Sequence, residues 1–512
     1  MLFSSTYFIF LFLPLVLIGF HALRLLAGAR AGRLLLIVAS TFFYGWWNPA
    51  YVVLIVLSMV SNYTIGSLIG RAATDIRYKR LALLAGLASN LGLLAYYKYA
   101  GFIVVSVSGL LVDYPILIDI VLPLAISFFT FQQVAFLVDV YRDNSIMETT
   151  TLEKYLCFIL FFPQLIAGPI VHHKQLVPQL ADKVLNGITS RHIMLGIGIF
   201  LLGLFKKVVL ADQIADISEP IFLRHGEGSD LDPVTAWIGI LAFTFRLYFD
   251  FSGYSDMAFG LGLMFGIILP INFFSPYKAT NINETWLRWN ITLGQFFAAY
   301  VFKPLGGRSR NVLTTARNVL ILMLLSGVWH GAGWNYLIWG LMQGSAMVWL
   351  LFWPGFISLV TSIKLRESWA YSTLFCGAIT FTFWILSLVA FKVTRVEDIS
   401  RYYKSMFTLS ATDIGEWIES YYQQVTTFTE SLFMGGSLVN SVLLEGTSWL
   451  IVSFAIVFLA PNVFQFFGIT RNGRIGRAKL SVGRGVLAGV AGGLALAMTI
   501  SGTSSDFIYF VF

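Results

Sequence analysis

The chain has 512 residues, of which 57% are hydrophobic, 16% are aromatic and only 12% are charged. So few charges cannot cover the surface of a soluble protein of this size, and long apolar runs recur from one end to the other. These runs are continuous rather than alternating, which argues against a β-barrel and predicts an all-α, polytopic membrane protein. The formal net charge of +8 fits cytoplasmic loops and lipid headgroups, and requires no nucleic acid partner.

The apolar runs predict candidate spans near residues 6–26, 33–46, 50–70, 81–97, 100–135, 155–170, 193–212, 234–268, 285–303, 312–330, 335–358, 370–392, 447–467 and 485–502. Several are too short, or too broken by Gly and Pro, to cross a hydrocarbon core of about 30 Å at about 1.5 Å per residue. We therefore expect roughly ten to thirteen transmembrane helices, together with re-entrant or interrupted ones.

Loop charges predict which side each end of a span faces. The first span lacks a basic region before it and is followed by basic residues, so we interpret it as retained, with the amino terminus outside the cytoplasm. A basic run without an acid follows the span at 447–467 and should be cytoplasmic: Arg471, Arg474, Arg477, Lys479 and Arg484. Acidic residues dominate 394–446, which we predict to be a partly helical extracytoplasmic segment. Both termini then face outward, and residues 1–512 form one integral-membrane domain.

The stretch "SGVWHGAGWNYLIWG" at 326–340 places His330 where charged groups are absent. The 46 residues from Asn318 to Ile363 contain no acid, lysine or arginine, and His330 is their one histidine. It lies 13 residues after Arg317, or about 20 Å along a helix, and therefore deep in the bilayer region. A histidine that only bonds a neighbouring helix is the structural alternative. Ionisable residues inside a membrane are costly and usually functional, so we predict a catalytic imidazole.

Asn290 is a polar amide in the apolar stretch "WLRWNITL" at 286–293. By itself such an amide most often holds two helices together. If it meets His330, the imidazole can take a proton from a hydroxyl while the amide N–H orients an acyl group or holds a developing oxyanion. Glu284 and Arg288 stand four residues apart and predict a structural ion pair.

Two other polar stretches have both structural and functional interpretations. In 245–267, Arg246 and Asp250 are spaced for a same-face ion pair, and Gly253 predicts an interruption of the helix. In "FFPQLIAGPIVHHKQLVPQL" at 161–180, the prolines and glycine predict a re-entrant segment that lines a cavity. The adjacent His172 and His173 cannot share one helical face, so we predict no metal site there.

His172 and His173, together with Lys174, are instead candidates to meet phosphates at the cytoplasmic mouth. Further candidates are Lys206, Lys207, Arg308 and Arg310, and ordinary headgroup contacts are the alternative for all of these residues. The two cysteines, Cys157 and Cys376, both lie in apolar runs and indicate neither a disulfide framework nor a thiolate metal site.

Taken in order, several stretches resemble the membrane-bound O-acyltransferase family, most closely its bacterial alginate O-acetyltransferase-like branch. They are "MLFSSTYFIFLFLPL" at the amino terminus, "LPLAISFFTFQQVAFLVDVYR" at 122–142, "FFPQLIAGPIV" at 161–171, "GLFKKVVLAD" at 203–212, "YFDFSGYSDMAFGLGLMFG" at 248–266, "INFFSPYKATNINETWLRWNITL" at 271–293, "WHGAGWNYLIWG" at 329–340 and the terminal "DFIYFVF".

The resemblance implies a funnel of tilted helices with a thin central wall, and it maps the family's membrane histidine onto His330. It also implies acetyl-coenzyme A as a donor substrate, whose phosphates would meet the cations Lys206, Lys207, Arg308 and Arg310. No tightly bound cofactor is implied, and the implied location is the bacterial inner membrane. The implied partner is a periplasmic acetyltransferase that passes the acetyl group to an exopolysaccharide or peptidoglycan. The close branch carries a second histidine where this chain has Asn290, whereas more distant members pair an asparagine with the histidine.

Two alternatives to an acetyltransferase remain open at the level of sequence. A transporter of an acylated carrier would also use broken helices and a polar residue near the midplane. Against it, the sequence shows no inverted repeat and no chain of intramembrane carboxylates. A catalytically degenerate family member that serves as a scaffold for its partner is the other alternative.

Overall fold

The computed structural model describes residues 1–71, 75–111, 120–360, 373–408, 415, 419, 422–423, 442–476, 478, 480–502 and 507, and all regular structure within them is helical. Nine helices in these ranges are long and apolar enough to cross a membrane: Phe8–Ala27, Ala50–Arg71, Ile76–Ser108, Ser190–Gly226, Pro233–Met264, Val312–His330, Trp334–Trp353, Thr373–Lys392 and Val482–Ile500. Two shorter apolar helices cover Ile291–Phe302 and Gly446–Leu459. The predicted class, an all-α polytopic membrane protein, is confirmed.

The helices are numbered here in chain order. The first eleven are α1 (Leu13–Ala27), α2 (Ala29–Gly45), α3 (Ala50–Arg71), α4 (Ile76–Leu94), α5 (Ala100–Leu111), α6 (Ile126–Arg142), α7 (Ile146–Thr149), α8 (Leu152–Leu160), α9 (Phe162–Leu165), α10 (His173–Leu176) and α11 (Asp182–Leu185). The next twelve are α12 (Ser190–Phe205), α13 (Asp212–Gly226), α14 (Pro233–Met264), α15 (Ile282–Arg288), α16 (Ile291–Phe297), α17 (Val312–His330), α18 (Trp334–Val360), α19 (Thr373–Lys392), α20 (Val396–Phe407), α21 (Val442–Leu459), α22 (Val463–Phe466) and α23 (Val482–Ile500).

Wider π-helical turns adjoin several of these helices. They occupy Phe8–Phe12, Ala95–Tyr99, Lys206–Ala211 and Ala298–Phe302. The turn at Ala95–Tyr99 joins α4 to α5, and the turn at Lys206–Ala211 joins α12 to α13, so each pair forms one long helix. A π turn inserts one residue into the helical repeat and changes which side chains face a neighbour.

Helix α14 is continuous over 32 residues, so the predicted interruption at Gly253 is wrong. Here the glycine permits close packing instead of breaking the helix. A Cβ at Gly253 would lie 2.8 Å from the carbonyl oxygen of Gly203 on α12, and one at Gly260 would lie 2.5 Å from that of Gly196. Two glycines seven residues apart on each helix therefore bring the backbones of α12 and α14 together, as small residues do in membrane helix pairs.

Charged side chains around α14 are matched by charges on neighbouring helices. The pairs are Lys206 Nζ with Asp256 Oδ2 (2.7 Å), Lys207 Nζ with Asp212 Oδ1 (2.7 Å) and Asp250 Oδ1 (2.8 Å), and Arg246 with Glu219. The predicted pair of Arg246 with Asp250 is wrong, because the neighbouring helices supply closer partners. Spacing of four residues identifies a shared face but not the charges that pack against it.

In three other predicted elements the helices are interrupted, short or only partly described. The predicted span 285–303 is divided at Asn290 between α15 and α16, and the predicted pair of Glu284 and Arg288 forms there at 2.5 Å. Residues 161–180 form only short helical turns, as their prolines predicted. Of the acidic segment 394–446, the described part includes α20, whereas residues 409–414 and 424–441, like Arg477, Lys479 and most of the terminal "DFIYFVF", lie outside the described residues.

Candidate active site

His330 is the last residue of α17, and its side chain is 3% exposed. Three aromatic rings meet the imidazole edge to face: Trp329 at 4.8 Å, Trp339 at 5.0 Å and Phe391 at 5.2 Å between centroids. Gly331 ends the helix in extended backbone, and a Cβ there would lie 2.0 Å from the Tyr336 ring. The glycine thus allows α18 to fold back against α17, which holds the imidazole between the two helices.

The imidazole borders a cavity of about 80 Å³, which we call the His330 cavity. Its wall includes Trp47, Lys98, Ala125, Phe128, Ile166 and Trp329. Ala125 adopts a left-handed backbone with φ of 63°, at a cost of about 1–2 kcal/mol for a residue other than glycine. The histidine predicted from the sequence is therefore buried in the protein yet next to a small space that a reacting group can enter.

Lys98 is a residue of this site that the sequence analysis missed. It lies in the π turn Ala95–Tyr99, and its Nζ donates a hydrogen bond to the Trp329 carbonyl oxygen. The same ammonium lies 5.8 Å from the centre of the Trp329 ring. The available signal was a single lysine inside the apolar run around "LLAYYKYAGF", because an intramembrane cation marks a functional position.

Asn290 occupies the break between α15 and α16 with φ of 41° and ψ of 52°. Its side chain is 2% exposed, and its amide nitrogen Nδ2 has no hydrogen-bond partner in the described part of the chain. Four residues earlier, Trp286 packs on Trp339 at 5.8 Å, and Trp339 in turn packs on His330. The two tryptophans thus link α15, which ends shortly before Asn290, to His330, and direct contact between Asn290 and His330 stays a prediction.

A second, larger cavity lies beside the Asn290 break. This Arg471 cavity, of about 530 Å³, is lined by residues that include Gln175, Ile271, Ile291, Gln295 and Arg471. Ile291 follows Asn290 in the chain, and its amide donates to the Asn272 carbonyl oxygen at 3.0 Å.

The broken segment 161–180 reaches both cavities. Ile166 and Ala167 line the His330 cavity, and Gln175 lines the Arg471 cavity. Between these points the Ile170 amide donates to Thr292 Oγ1 at 2.9 Å, two residues after Asn290. Phe131, Phe296 and Trp329 pack into one apolar cluster at this level. Segment 161–180 therefore connects the linings of the two cavities.

The four cations predicted to bind the donor fall into two groups. Arg308 and Arg310 are exposed in the loop before α17. Lys206 and Lys207 instead make the ion pairs with Asp256, Asp212 and Asp250, and their side chains are 12% and 4% exposed. Their charges are balanced within the protein, so the geometry favours a bracing role for the lysines.

His172 and His173 point to different neighbours. His172 Nδ1 lies 3.2 Å from the Tyr300 hydroxyl, and His173 Nδ1 lies 3.7 Å from Asp139 Oδ2. Burial lowers the pKa of His172 and lowers the pKa of His173 to about 4, so both rings are neutral at pH 7. Neutral rings supply no positive charge for the phosphates that we predicted them to meet with Lys174.

These features define a multi-pass helical membrane protein with a buried histidine next to a cavity. Comparisons with known proteins are consistent with this description. Residues 143–396 match the model of the membrane-bound O-acyltransferase family. A peptidoglycan O-acetyltransferase of Helicobacter pylori is 39% identical over 439 residues, which cover 81% of each chain. A probable alginate O-acetylase of Pseudomonas aeruginosa is 36% identical over 428 residues, which cover 81% of this chain and 76% of the relative.

The chain belongs to the membrane-bound O-acyltransferase family, and it is an acyltransferase. A teichoic acid D-alanyltransferase of Streptococcus thermophilus is also similar, at 31% identity over 241 residues that cover 44% of this chain and 56% of the relative. The resemblance inferred from short motifs is therefore confirmed over most of the chain.

Proposed function

We propose that this protein is a bacterial inner-membrane O-acetyltransferase, which takes acetyl from cytoplasmic acetyl-coenzyme A for O-acetylation of an extracytoplasmic polysaccharide. The observation that carries the proposal is the position of His330, which is buried at the end of α17 and borders a cavity. The names of the similar proteins support acetyl as the group and peptidoglycan or an alginate-like polymer as the final acceptor.

In the proposed reaction the His330 imidazole acts as a general base. It removes the proton from an acceptor hydroxyl, and the hydroxyl oxygen attacks the acetyl carbonyl carbon. The carbon–sulfur bond then breaks, and the leaving thiolate takes the proton from the imidazolium. The Asn290 amide supports this scheme because its Nδ2 is buried without a partner among the described residues, and leaving such a donor unbonded costs about 1–3 kcal/mol. A bond to the thioester oxygen would recover that energy as negative charge develops there.

The donor would reach the reaction from the Arg471 cavity. Its volume of about 530 Å³ is larger than the 80 Å³ of the His330 cavity, and it lies beside the Asn290 break. An arginine at its rim supports phosphate binding, since a guanidinium pairs with phosphate through two parallel bonds. Arg308 and Arg310 remain our candidates for further phosphate contacts.

We place the Arg471 cavity on the cytoplasmic side and both chain termini outside, following the loop charges. The acceptor hydroxyl then enters the His330 cavity from the outer side. That cavity is too small for a sugar chain, which favours a periplasmic acetyltransferase partner that collects the acetyl group and modifies the polymer.

His330→Gln tests the function directly. The substitution removes the base but keeps a side chain that can form hydrogen bonds, and loss of a general base typically lowers turnover by about 10²–10⁴-fold. Consumption of acetyl-coenzyme A by purified protein in detergent, with and without the acceptor, is the measurement. His21→Gln, the same substitution on α1, is the matched control and should keep wild-type turnover.

Wild-type turnover in His330→Gln would refute the proposed base. Absence of any acetyl chemistry in the wild type, with acceptor and partner both supplied, would favour the transporter or the scaffold.

A further inference from the structure

The carboxyl end of α17 is held by two consecutive residues of the π turn Ala95–Tyr99. The Tyr99 hydroxyl donates to the Val328 carbonyl oxygen at 2.9 Å, and Lys98 Nζ donates to the Trp329 carbonyl oxygen. Both acceptors belong to the last turn of α17, where helical carbonyls lack partners within their own helix. At membrane depth water cannot supply those bonds, so side chains must.

The two bonds differ in strength and in what they hold. The ammonium of Lys98 makes a charge-assisted bond, about twice as strong as a neutral one, and also meets the negative end of the helix dipole. The Trp329 carbonyl is part of the peptide bond that joins Trp329 to His330. Lys98 therefore fixes the peptide plane from which His330 projects, whereas Tyr99 acts one residue further back.

Lys98 also lies in the wall of the His330 cavity. Its position over the Trp329 ring adds a cation–π contact to the same helix end. The side chain thus joins the helix Ile76–Ser108 to the end of α17, which carries the imidazole, on the side where a reacting group would enter.

We propose that Lys98 is a positioning residue, which holds the α17 terminus so that the His330 imidazole faces the cavity in its reactive orientation. The proposal rests on the proposed function, in which His330 is the base. A displacement of about 1 Å in such a group can lower turnover by about 10²-fold. Loss of the Lys98 bond should therefore affect turnover much more than donor binding.

The test compares Lys98→Met, Lys98→Arg and Tyr99→Phe in the same purified preparation. Lys98→Met keeps the length of the side chain without its donors, and should lower kcat by about 10–10²-fold while the KM for acetyl-coenzyme A changes less than about twofold. Lys98→Arg can still donate to the Trp329 carbonyl and should recover most of the turnover. Tyr99→Phe removes the neighbouring neutral bond and should stay within about threefold of wild type.

Thermal unfolding of each variant in detergent separates positioning from loss of fold. Wild-type kcat in Lys98→Met would overturn the proposal. Equal losses of kcat in Lys98→Met and Tyr99→Phe would also overturn it, and so would folded Lys98→Arg protein that fails to recover turnover. His330→Gln is measured alongside. If it is active, the proposed function fails; if it is inactive while Lys98→Met is fully active, the positioning role alone fails.

Discussion

The backbone and the amide of Asn290 make separate contributions that mutation can distinguish. Its left-handed backbone is a conformation that asparagine, histidine and glycine tolerate better than branched or bulky residues. Its buried Nδ2 has no partner in the described chain. An amide with a purely structural role would be expected to have one, since nearly all buried polar groups are hydrogen-bonded. A comparison with leucine alone would mix loss of the amide with backbone strain of about 1–2 kcal/mol.

Asn290→Gly is therefore the informative substitution, because it keeps the backbone conformation and removes the amide. If Nδ2 donates to the thioester oxygen in the transition state, Asn290→Gly should lower turnover by about 10²–10³-fold with little change in donor KM. Asn290→His, the residue of the close branch, offers a ring N–H and should retain more activity than glycine. Initial rates of acetyl transfer in one membrane preparation make the comparison.

Asn290→Leu serves as the strain control and should be both inactive and less stable. Full activity in Asn290→Gly would show that only the backbone matters, and would remove the amide from the mechanism.

Single residues differed in how well the sequence predicted them. His330 was predictable because it is the one histidine in a stretch of 46 residues without an acid, lysine or arginine. The left-handed backbone of Asn290 was not, since it depends on how the loop around Asn272 pairs with Ile291. Lys98 carried the same kind of signal as His330, but its contact with the end of α17 joins residues 231 positions apart.

Among the helices, the packing of α12 against α14 shows why a glycine in an apolar run is ambiguous. In a helix interior glycine costs about 1 kcal/mol relative to alanine when nothing packs against it, and it enables close contact when a second helix does. Gly253 is the second kind, because the Gly203 carbonyl and the Lys207 amide would lie 2.8 and 3.1 Å from an added Cβ. Lengths of apolar runs predicted where helices lie, but pairing between helices decided which of them are continuous.

Gly253→Ala should therefore destabilise the protein by about 1–3 kcal/mol, because the backbones of α12 and α14 must move apart to admit the methyl group. The measurement is the midpoint of thermal unfolding in detergent. Gly493→Ala on α23 is the matched control, since an added Cβ there meets no atom of the described residues within 4 Å. Alanine favours a helix over glycine, so the control should be neutral or slightly stabilising. Equal midpoints for the two variants would contradict the close packing of α12 and α14.

At the scale of the whole molecule, segment 161–180 contributes residues to two cavities of different size and chemistry. The larger contains Arg471, and the smaller contains His330 and Lys98. Sequence analysis predicted the broken segment 161–180 from its prolines and glycine, and that segment reaches both cavities. It predicted that this segment lines a cavity but not which residues complete the lining, because residues from 47 to 330 form one cavity and residues from 175 to 473 form the other.

Burial and ion pairing also divide the four cations predicted to bind the donor into two groups. Neutralising Lys207 would leave Asp212 and Asp250 buried without their shared partner, which typically costs about 3–5 kcal/mol. Arg308 and Arg310 are exposed, so their loss should cost little stability. The two groups should therefore fail in different ways.

The double variant Arg308→Gln/Arg310→Gln should raise the KM for acetyl-coenzyme A several-fold with nearly unchanged kcat, because phosphate contacts change little along the reaction. Lys206→Met/Lys207→Met should instead lower the unfolding midpoint and the yield, with an unchanged donor KM in the folded fraction. Arg224→Gln, an exposed arginine near the end of α13, controls for loss of surface charge and should leave both parameters at wild-type values. Steady-state kinetics on folded protein, with unfolding midpoints measured in parallel, decide between the groups. An unchanged KM in the arginine double variant would show that those arginines contact lipid headgroups and not the donor. A raised KM in a fully stable lysine double variant would show that the lysines bind the donor after all.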